Sequence, residues 1–352
     1  MTGEDVEALA VGGAILGGGG GGWSEDGQHI GLLSLDIGEV NLMDPAEAPE
    51  DMLVAVSAAL GAPTQKGGTR PRHFIRSAEL LWEAGVEFDG LIAAENGGHN
   101  SFGGWIQAAA LGLPVVDAPA DGRAHPTAMM GGMGLHRVEG YRSVKAVACE
   151  EVEAVAWGSL QRTSNVARMI AQDVRALVAM TRDPVTVKYA VEHGAPGAIS
   201  KAIDLGKAVI EATPRGADAA VKAALGSVGG ELVCRGRITE KRIEAKGGFD
   251  VGTIKVENGE KIYEVTFVNE YMTLELDGRR LGTFPDLIAT FDAEGGPITS
   301  AAVQEGDVVY LTNTSRSHIL IGDGNRYPEI YEPIERALGK PMVSHLKDFL
   351  RS

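Results

Sequence analysis

The chain has 352 residues, enough for two domains, and its 44% hydrophobic and 23% charged content marks a folded globular protein, not a disordered one. A net charge of −16 argues against a nucleic-acid partner, because little here would replace the counterions condensed on a phosphate backbone. Glu4, Asp5 and Glu7 with no early Lys or Arg predict no secretory signal, and the uncharged stretch from Ala8 to Trp23 is half glycine and too short to span a bilayer. Two cysteines, Cys149 and Cys234, supply neither a disulfide framework nor a paired-cysteine metal motif. A cytoplasmic protein that does not enter membranes is expected.

In chain order, Asp5 to Leu16 reads as helix and the glycine run Gly17 to Gly22 follows it. Ile30 to Leu35 and Leu53 to Ser57 read as buried strands, and Arg72 to Ala84 has apolar residues at helical spacing. Leu91 to Ala94 is again strand-like. Asn100 to Leu111 is alanine-rich and helical, with Gly112 as its C-terminal stop, and Pro114 to Asp117 gives another short strand. Strand, helix and strand in this order predict parallel pairing through a right-handed crossover. Helices are expected at Ser164 to Asp173, Pro184 to His193 and Pro196 to Ala212. From about Gly229 the period shortens. Leu232 to Ile238, Gly252 to Val256, Tyr263 to Val268, Tyr271 to Leu276 and Val308 to Thr312 read as strands, with Asn258-Gly259 and Asp277-Gly278 as turns. The expected architecture is an α/β N-terminal domain with a mainly parallel sheet, over residues 1–226. A mostly antiparallel β-domain, a small barrel or sandwich, follows over 227–326, and a helical tail over 327–352.

The chemistry concentrates in two segments, Glu95-Asn96-Gly97-Gly98-His99-Asn100-Ser101 and Asp117 through Thr127. If the strands before them are parallel neighbours, Glu95 and Asp117 are the first polar groups past the same sheet edge, where open α/β sheets bind ligands. The following loops add His99, Asp121, Arg123 and His125. Glu95, Asp117 and Asp121 are candidate catalytic carboxylates, any of which could act as general base for a water. Arg123 could clamp a substrate carboxylate in bidentate fashion, with Asn100 beside it. His99, Asp117 and His125 form a donor set of the kind that holds a catalytic zinc or similar divalent ion. Bland readings stand beside these: Asp117 as the cap of the next turn, and Arg123 as a structural bridge to Asp121 or Asp117. The glycine run lacks the Lys-Ser or Lys-Thr of a phosphate loop. Gly18, Gly19 and Gly20 could form an amide nest for a substrate oxygen, or simply a tight turn against the sheet. Ser101 lacks a nucleophile-elbow context, and both cysteines read as inert core thiols.

These segments resemble the S-methyl-thiohydantoin desulfurase-like family. The glycine run Gly17 to Gly22 resembles its N-terminal glycine cluster, and Gly61-Ala62-Pro63-Thr64 its Gly-x-Pro-Thr turn. Glu95 to Ser101 resembles its Glu-x-Gly-Gly-x-Asn-Ser loop, and Asp117 to Pro126 its Asp-x-x-x-x-Gly-Arg-Ala-x-Pro signature. Asn269-Glu270-Tyr271 and Phe284-Pro285-Asp286-Leu287-Ile288 resemble its Asn-Glu and Pro-Asp-Leu-Ile elements. The resemblance implies a two-domain protein whose relatives are encoded beside hydantoinase and oxoprolinase genes. It also implies hydrolysis of the S-methyl substituent of a thiohydantoin ring, which releases a thiol and leaves a hydantoin. Many members carry Phe-Pro-Glu where this chain has His125-Pro126-Thr127, and Ala118-Pro119-Ala120 replaces a small acidic stretch. A small-molecule hydrolase is thus expected. The rival expectation is a non-catalytic partner subunit of a hydantoinase or oxoprolinase system, and self-association into a homo-oligomer fits either.

Overall fold

The computed structural model describes residues 1–61 and 69–351. Helices α1 (Gly3–Leu16) and α2 (Ser24–Ile37) open the chain, joined by the glycine run. The first sheet holds β1 (Leu42–Met43), β2 (Leu53–Leu60), β3 (Gly90–Ala93), β4 (Val115–Val116), β5 (Ser143–Ala148), β6 (Glu153–Gly158) and β7 (Val178–Thr186). Its strand order is β1-β4-β3-β2-β7-β5-β6. The first four strands run parallel; β7, β5 and β6 extend the sheet in antiparallel pairs. The crossovers are α3 (Pro71–Glu83) between β2 and β3 and α4 (Trp105–Leu111) between β3 and β4; α5 (Leu160–Val174) joins β6 to β7. Gly112 closes α4 in the left-handed conformation, as expected.

Helices α6 (Val187–His193), α7 (Ala198–Ala212) and α8 (Ala217–Val228) lead to the second sheet. This contains β8 (Glu231–Lys246), β9 (Phe249–Asn258), β10 (Lys261–Val268), β11 (Glu270–Leu276), β12 (Arg279–Thr283), β13 (Leu287–Phe291), β14 (Pro297–Ile298) and β15 (Val308–Thr314). The order is β12-β11-β10-β9-β8-β15-β13-β14, antiparallel throughout, and the sheet curls into a half-barrel. The α/β domain and the antiparallel β-domain therefore stand as expected. The tail is short 3-10 turns around one two-turn helix, α9 (Glu332–Leu338).

Four local expectations fail. The helix expected from Asn100 begins only at Trp105, after a 3-10 turn over Asn100–Phe102 and the non-helical Gly103 and Gly104. Ile30 to Leu35 is not a strand but part of α2, which buries Gly27, Gly31 and Ser34 and leaves Leu32 exposed. A six-residue apolar run cannot by itself separate strand from helix, and here Ser24, Glu25 and Asp26 supply an acidic first turn. Pro184 lies near the end of β7, not in a helix, and the helix begins only at Val187. Pro196 precedes the N-cap Gly197 of α7 and is not within its first turn. Helix α1 packs against α7 through glycine. A Cβ at Gly12 would sit 1.8 Å from the Ala202 carbonyl oxygen, and one at Gly206 1.8 Å from that of Ala8. This backbone-to-backbone approach fixes the end of α1, and with it the position of the glycine run.

Candidate active site between the two domains

Strands β3 and β4 are parallel neighbours, with Leu91 opposite Val115. Glu95 and Asp117 accordingly both emerge at the carboxyl edge, but their side chains part there. Both Asp117 oxygens accept helix amides, Oδ1 from Ile199 at 2.8 Å and Oδ2 from Ser200 at 3.0 Å. Asp117 caps the distant helix α7, not the next turn, and both its oxygens are committed there instead of to the expected role of catalytic base or metal ligand. Asp117→Asn is expected to lower stability by about 1 kcal/mol, since one oxygen acceptor is lost from the cap. Thermal melting checks this; an unchanged Tm with loss of turnover would return Asp117 to the chemistry.

Glu95 faces a cavity of about 80 Å³ between the domains. Its walls include Gly21, Gly22, His99, Asn100, His125, Arg168, Arg182 and Glu270. Asn100 Nδ2 donates to Glu95 Oε1 at 2.6 Å, and the His125 backbone amide donates to Oε2 at 3.1 Å. These bonds favour the ionised carboxylate. Burial outweighs them and pushes Glu95 up to about 7. The loop carrying it is stiff: Asn96 Nδ2 donates to the carbonyls of Gly122 and Ala198, while Ser101 Oγ bonds Asn96 Oδ1 and receives the Gly97 amide.

The other acid at the cavity comes from the β-domain. Asn269, at φ 59°, makes the single-residue turn between β10 and β11, a conformation Asn tolerates better than most side chains. Its Oδ1 accepts the Asp250 amide at 2.9 Å and its carbonyl accepts Ser300 Oγ. The turn thereby aims Glu270 back toward the α/β domain. Glu270 is buried, and its own backbone amide and that of Gly21 are its donors. Its Oε2 has no partner. Burial, and then the charge of Glu95, raise it well above the ordinary carboxylate range. Two acids in one dry space cannot both ionise cheaply.

Both histidines reach the cavity. His125 Nε2 stands 3.1 Å from Glu95 Oε2, yet too far off axis for a hydrogen bond, and neither ring nitrogen is satisfied. Burial pulls His125 down to about 4, so it is neutral at pH 7. His99 is half-buried, with Nδ1 3.4 Å from Asn100 Oδ1, and burial lowers it as well. Arg182 of β7 spends Nη1 on Asp183 and Nη2 on the Gly131 carbonyl; its Nε is buried and unpaired. The zinc set of His99, Asp117 and His125 is not assembled. Asp117 is committed to α7, and among the described residues no three His, Cys, Asp or Glu side chains converge as ion ligands.

Asp121 and Arg123 are fully buried, but as fastenings. Asp121 Oδ1 accepts the amides of Gly122 and Gly322, and Oδ2 accepts Asn325 Nδ2, tying the rim loop to the segment after β15. Burial raises Asp121 to about 6. Arg123 donates to the carbonyls of Ala124, Pro285 and Asp286 and lies 4.4 Å from the Phe284 ring centroid. It fastens the β-domain to the rim, with Nη2 buried and unpaired, and it is absent from the cavity lining where a substrate carboxylate would lie; its partners are not the acids expected for a bridge. The glycine run does the same from the other side. Carbonyls of Gly18 and Gly19 accept the amides of Tyr271 and Ser300, and a Cβ on Gly20 would lie 2.1 Å from Glu270 Oε1. Gly18 to Gly20 thus form an interdomain seam, while Gly21 and Gly22 reach the cavity wall. Of the Gly61 to Thr64 turn, Ala62 to Thr64 lie outside the described residues.

Arg182 and Glu270 escaped the reading of single segments. Each had a signal, charge set against apolar strand residues: the adjacent Arg182-Asp183 after Val178-Ala179-Met180-Thr181, and Glu270 between Val268-Asn269 and Tyr271-Met272.

No helix among the described residues is long and apolar enough to cross a membrane. A crystal structure of a protein from Chromobacterium violaceum matches the fold with a TM-score of 0.66 at 21% identity, covering 88% of this chain and 91% of that one. No curated protein matches the chain. The model of the S-Me-THD-like N-terminal domain matches residues 4–156, and that of the S-Me-THD-like C-terminal domain matches 159–320. Spanning both domains between them, these matches make the chain a member of the S-Me-THD-like family.

Proposed function

We propose that the interdomain cavity hydrolyses a small thiohydantoin-like ring, with Glu95 and Glu270 as its acid–base pair. The observation that carries this reading is the convergence of these two buried carboxyls on one cavity. Their mutual charge and burial leave one protonated and the other ionised near neutrality, the pattern by which paired acids divide acid and base work. Glu270, the more strongly desolvated, holds the proton. Glu95, kept ionisable by Asn100 and the His125 amide, is the base.

For an S-methylated thiohydantoin, Glu95 takes a proton from water as the oxygen bonds to the ring carbon bearing sulfur. The carbon–sulfur bond then breaks, and the sulfur leaves as methanethiol with the proton of Glu270. The new hydroxyl on carbon shifts its proton to the ring nitrogen and gives the hydantoin. The proton gained by Glu95 re-forms the starting pair by passing to Glu270. The unpaired atoms around the cavity suit such a ring. Arg182 Nε can donate to a ring carbonyl, while Glu270 Oε2 and the neutral His125 ring offer acceptors and a donor for ring N–H and N.

The test is incubation of the full chain with S-methyl-thiohydantoins, hydantoins and oxoproline in ¹⁸O-labelled water. Thiol release with one labelled oxygen in the ring is expected. A chain that binds these rings yet consumes none would overturn hydrolysis in favour of a binding subunit.

A further inference from the structure

A second hollow, of about 600 Å³, adjoins the ring cavity and shares Leu60, Thr127, Ala128 and Arg168 with it as a common wall. We infer that this hollow receives an uncharged, apolar substituent carried by the ring; the inference rests on the proposed hydrolytic reading of the cavity. The first cavity is small, about 80 Å³, and these four residues border both spaces, so a substituent carried by a ring in the first meets the second at this wall. Beyond the shared residues its apolar lining is Met129, Met169, Phe249, Ile330 and Pro333. Met169 is 65% exposed, an adaptable thioether left on the surface of α5 where ordinary packing would not hold it.

The donors near the hollow are turned toward the protein. Arg168, in the common wall, lies with its guanidinium 3.9 Å from the Phe249 ring centroid and donates Nη1 to the carbonyl of Gly248 and Nη2 to that of Pro126, with no acid paired to it among the described residues. Glu329 pairs with Arg137 and lies 3.2 Å from His136 Nε2. Glu329 is therefore spent, and both Arg168 Nη groups are directed at backbone carbonyls. The other polar lining is neutral, as with Gln161, Asn165 and Gln172. A branched aliphatic or aromatic group at the ring carbon next to the carbonyl meets all of these conditions, which makes an amino-acid-derived ring with an apolar side chain the substrate class.

The experiment measures affinity by calorimetry and turnover by thiol release for rings substituted with hydrogen, methyl, isobutyl and benzyl at that carbon. Affinity is expected to rise about tenfold or more from hydrogen to benzyl, as apolar surface leaves water. Met169→Glu, at an exposed position, is expected to shrink the benzyl-to-hydrogen affinity ratio severalfold. A carboxymethyl substituent is expected to bind no better than hydrogen. Equal affinity across the series overturns the inference and leaves hydrolysis standing. A graded series without thiol release overturns hydrolysis and leaves the hollow's role standing. Failure to bind any of the rings overturns both.

Discussion

Replacing Glu270 by Gln is expected to lower turnover by about a thousandfold while raising Tm at pH 8. The first effect follows from the loss of the proton that accompanies the leaving thiol, within the range of about 10²–10⁴ for positioned acids and bases. Gln keeps the shape and can still accept the Gly21 amide, so the seam between glycine run and β-domain stays closed. The second effect follows from the raised value of the acid. A carboxyl whose folded value lies above its ordinary 4.5 holds a proton that the unfolded chain has already released. Its favourable contribution is complete below about 4.5 and is lost as pH rises through the folded value. Gln has no proton to lose, so the variant gains over the parent at pH 8 and not at pH 4.

Residual turnover in this variant reports on Glu95. Glu270 is uncharged while Glu95 titrates, and burial is the first cause of the raised Glu95 value, so the limb of the pH–rate profile near 7 should stay in place while any limb set by loss of the Glu270 proton disappears. His125 does not imitate that limb. Its value is lowered to about 4, so its proton belongs to the unfolded chain between there and 6.5, and its stability contribution rises with pH across that window. Parallel melts and rate profiles from pH 4 to 9 measure both effects. A variant that loses activity with no gain in Tm at pH 8 would remove Glu270 from the desolvated pair and make its role one of shape.

The division between what the sequence displayed and what it concealed follows from contact distance along the chain. Leu91 to Ala94 and Pro114 to Asp117 could be placed at one sheet edge because a short apolar run, a helix and a second run admit one handedness. That was enough to find Glu95 and the His125 loop. It was not enough to orient side chains past the edge. Asp117 turns to α7, whose N-terminus lies some eighty residues later, and Arg123 to carbonyls about 160 residues away. The glycine run displayed close approach correctly and concealed what approaches it, since Tyr271, Glu270 and Ser300 belong to the other domain. Strands β5 and β7 escape the pattern because alternation there is broken by buried Lys145, Arg182 and Asp183.

Those same three residues give the largest expected loss of stability. Lys145 and Asp183 are wholly buried and paired, and Arg182 Nη1 joins Asp183 at 3.3 Å. Asp183 sits at φ 47° and also accepts from Tyr141, Ser143 and the Val144 amide, while the charges of Lys145 and then Arg182 hold its carboxyl below the ordinary range despite burial. Lys145→Met keeps volume and deletes the cation. It should cost about 3–5 kcal/mol, as expected when one partner of a buried pair is removed. Asp183→Asn should behave differently. Burial already brings Lys145 down to about 8, and Asp183 is what holds it up. With that charge gone the lysine drops its proton on folding, while the unfolded chain keeps it up to about 10.5. The unfolded state then binds more protons, so stability should climb as pH rises toward 8, where the folded parent still keeps the lysine proton and its stability is nearly flat. Arg182 loses its anchor in this variant, and affinity for the ring should weaken even above pH 8, where the lysine proton no longer separates variant from parent. Melts and ring affinity below and above pH 8 separate the two effects. Full ring affinity in Asp183→Asn would show that Arg182 needs only the Gly131 carbonyl to stand at the cavity wall.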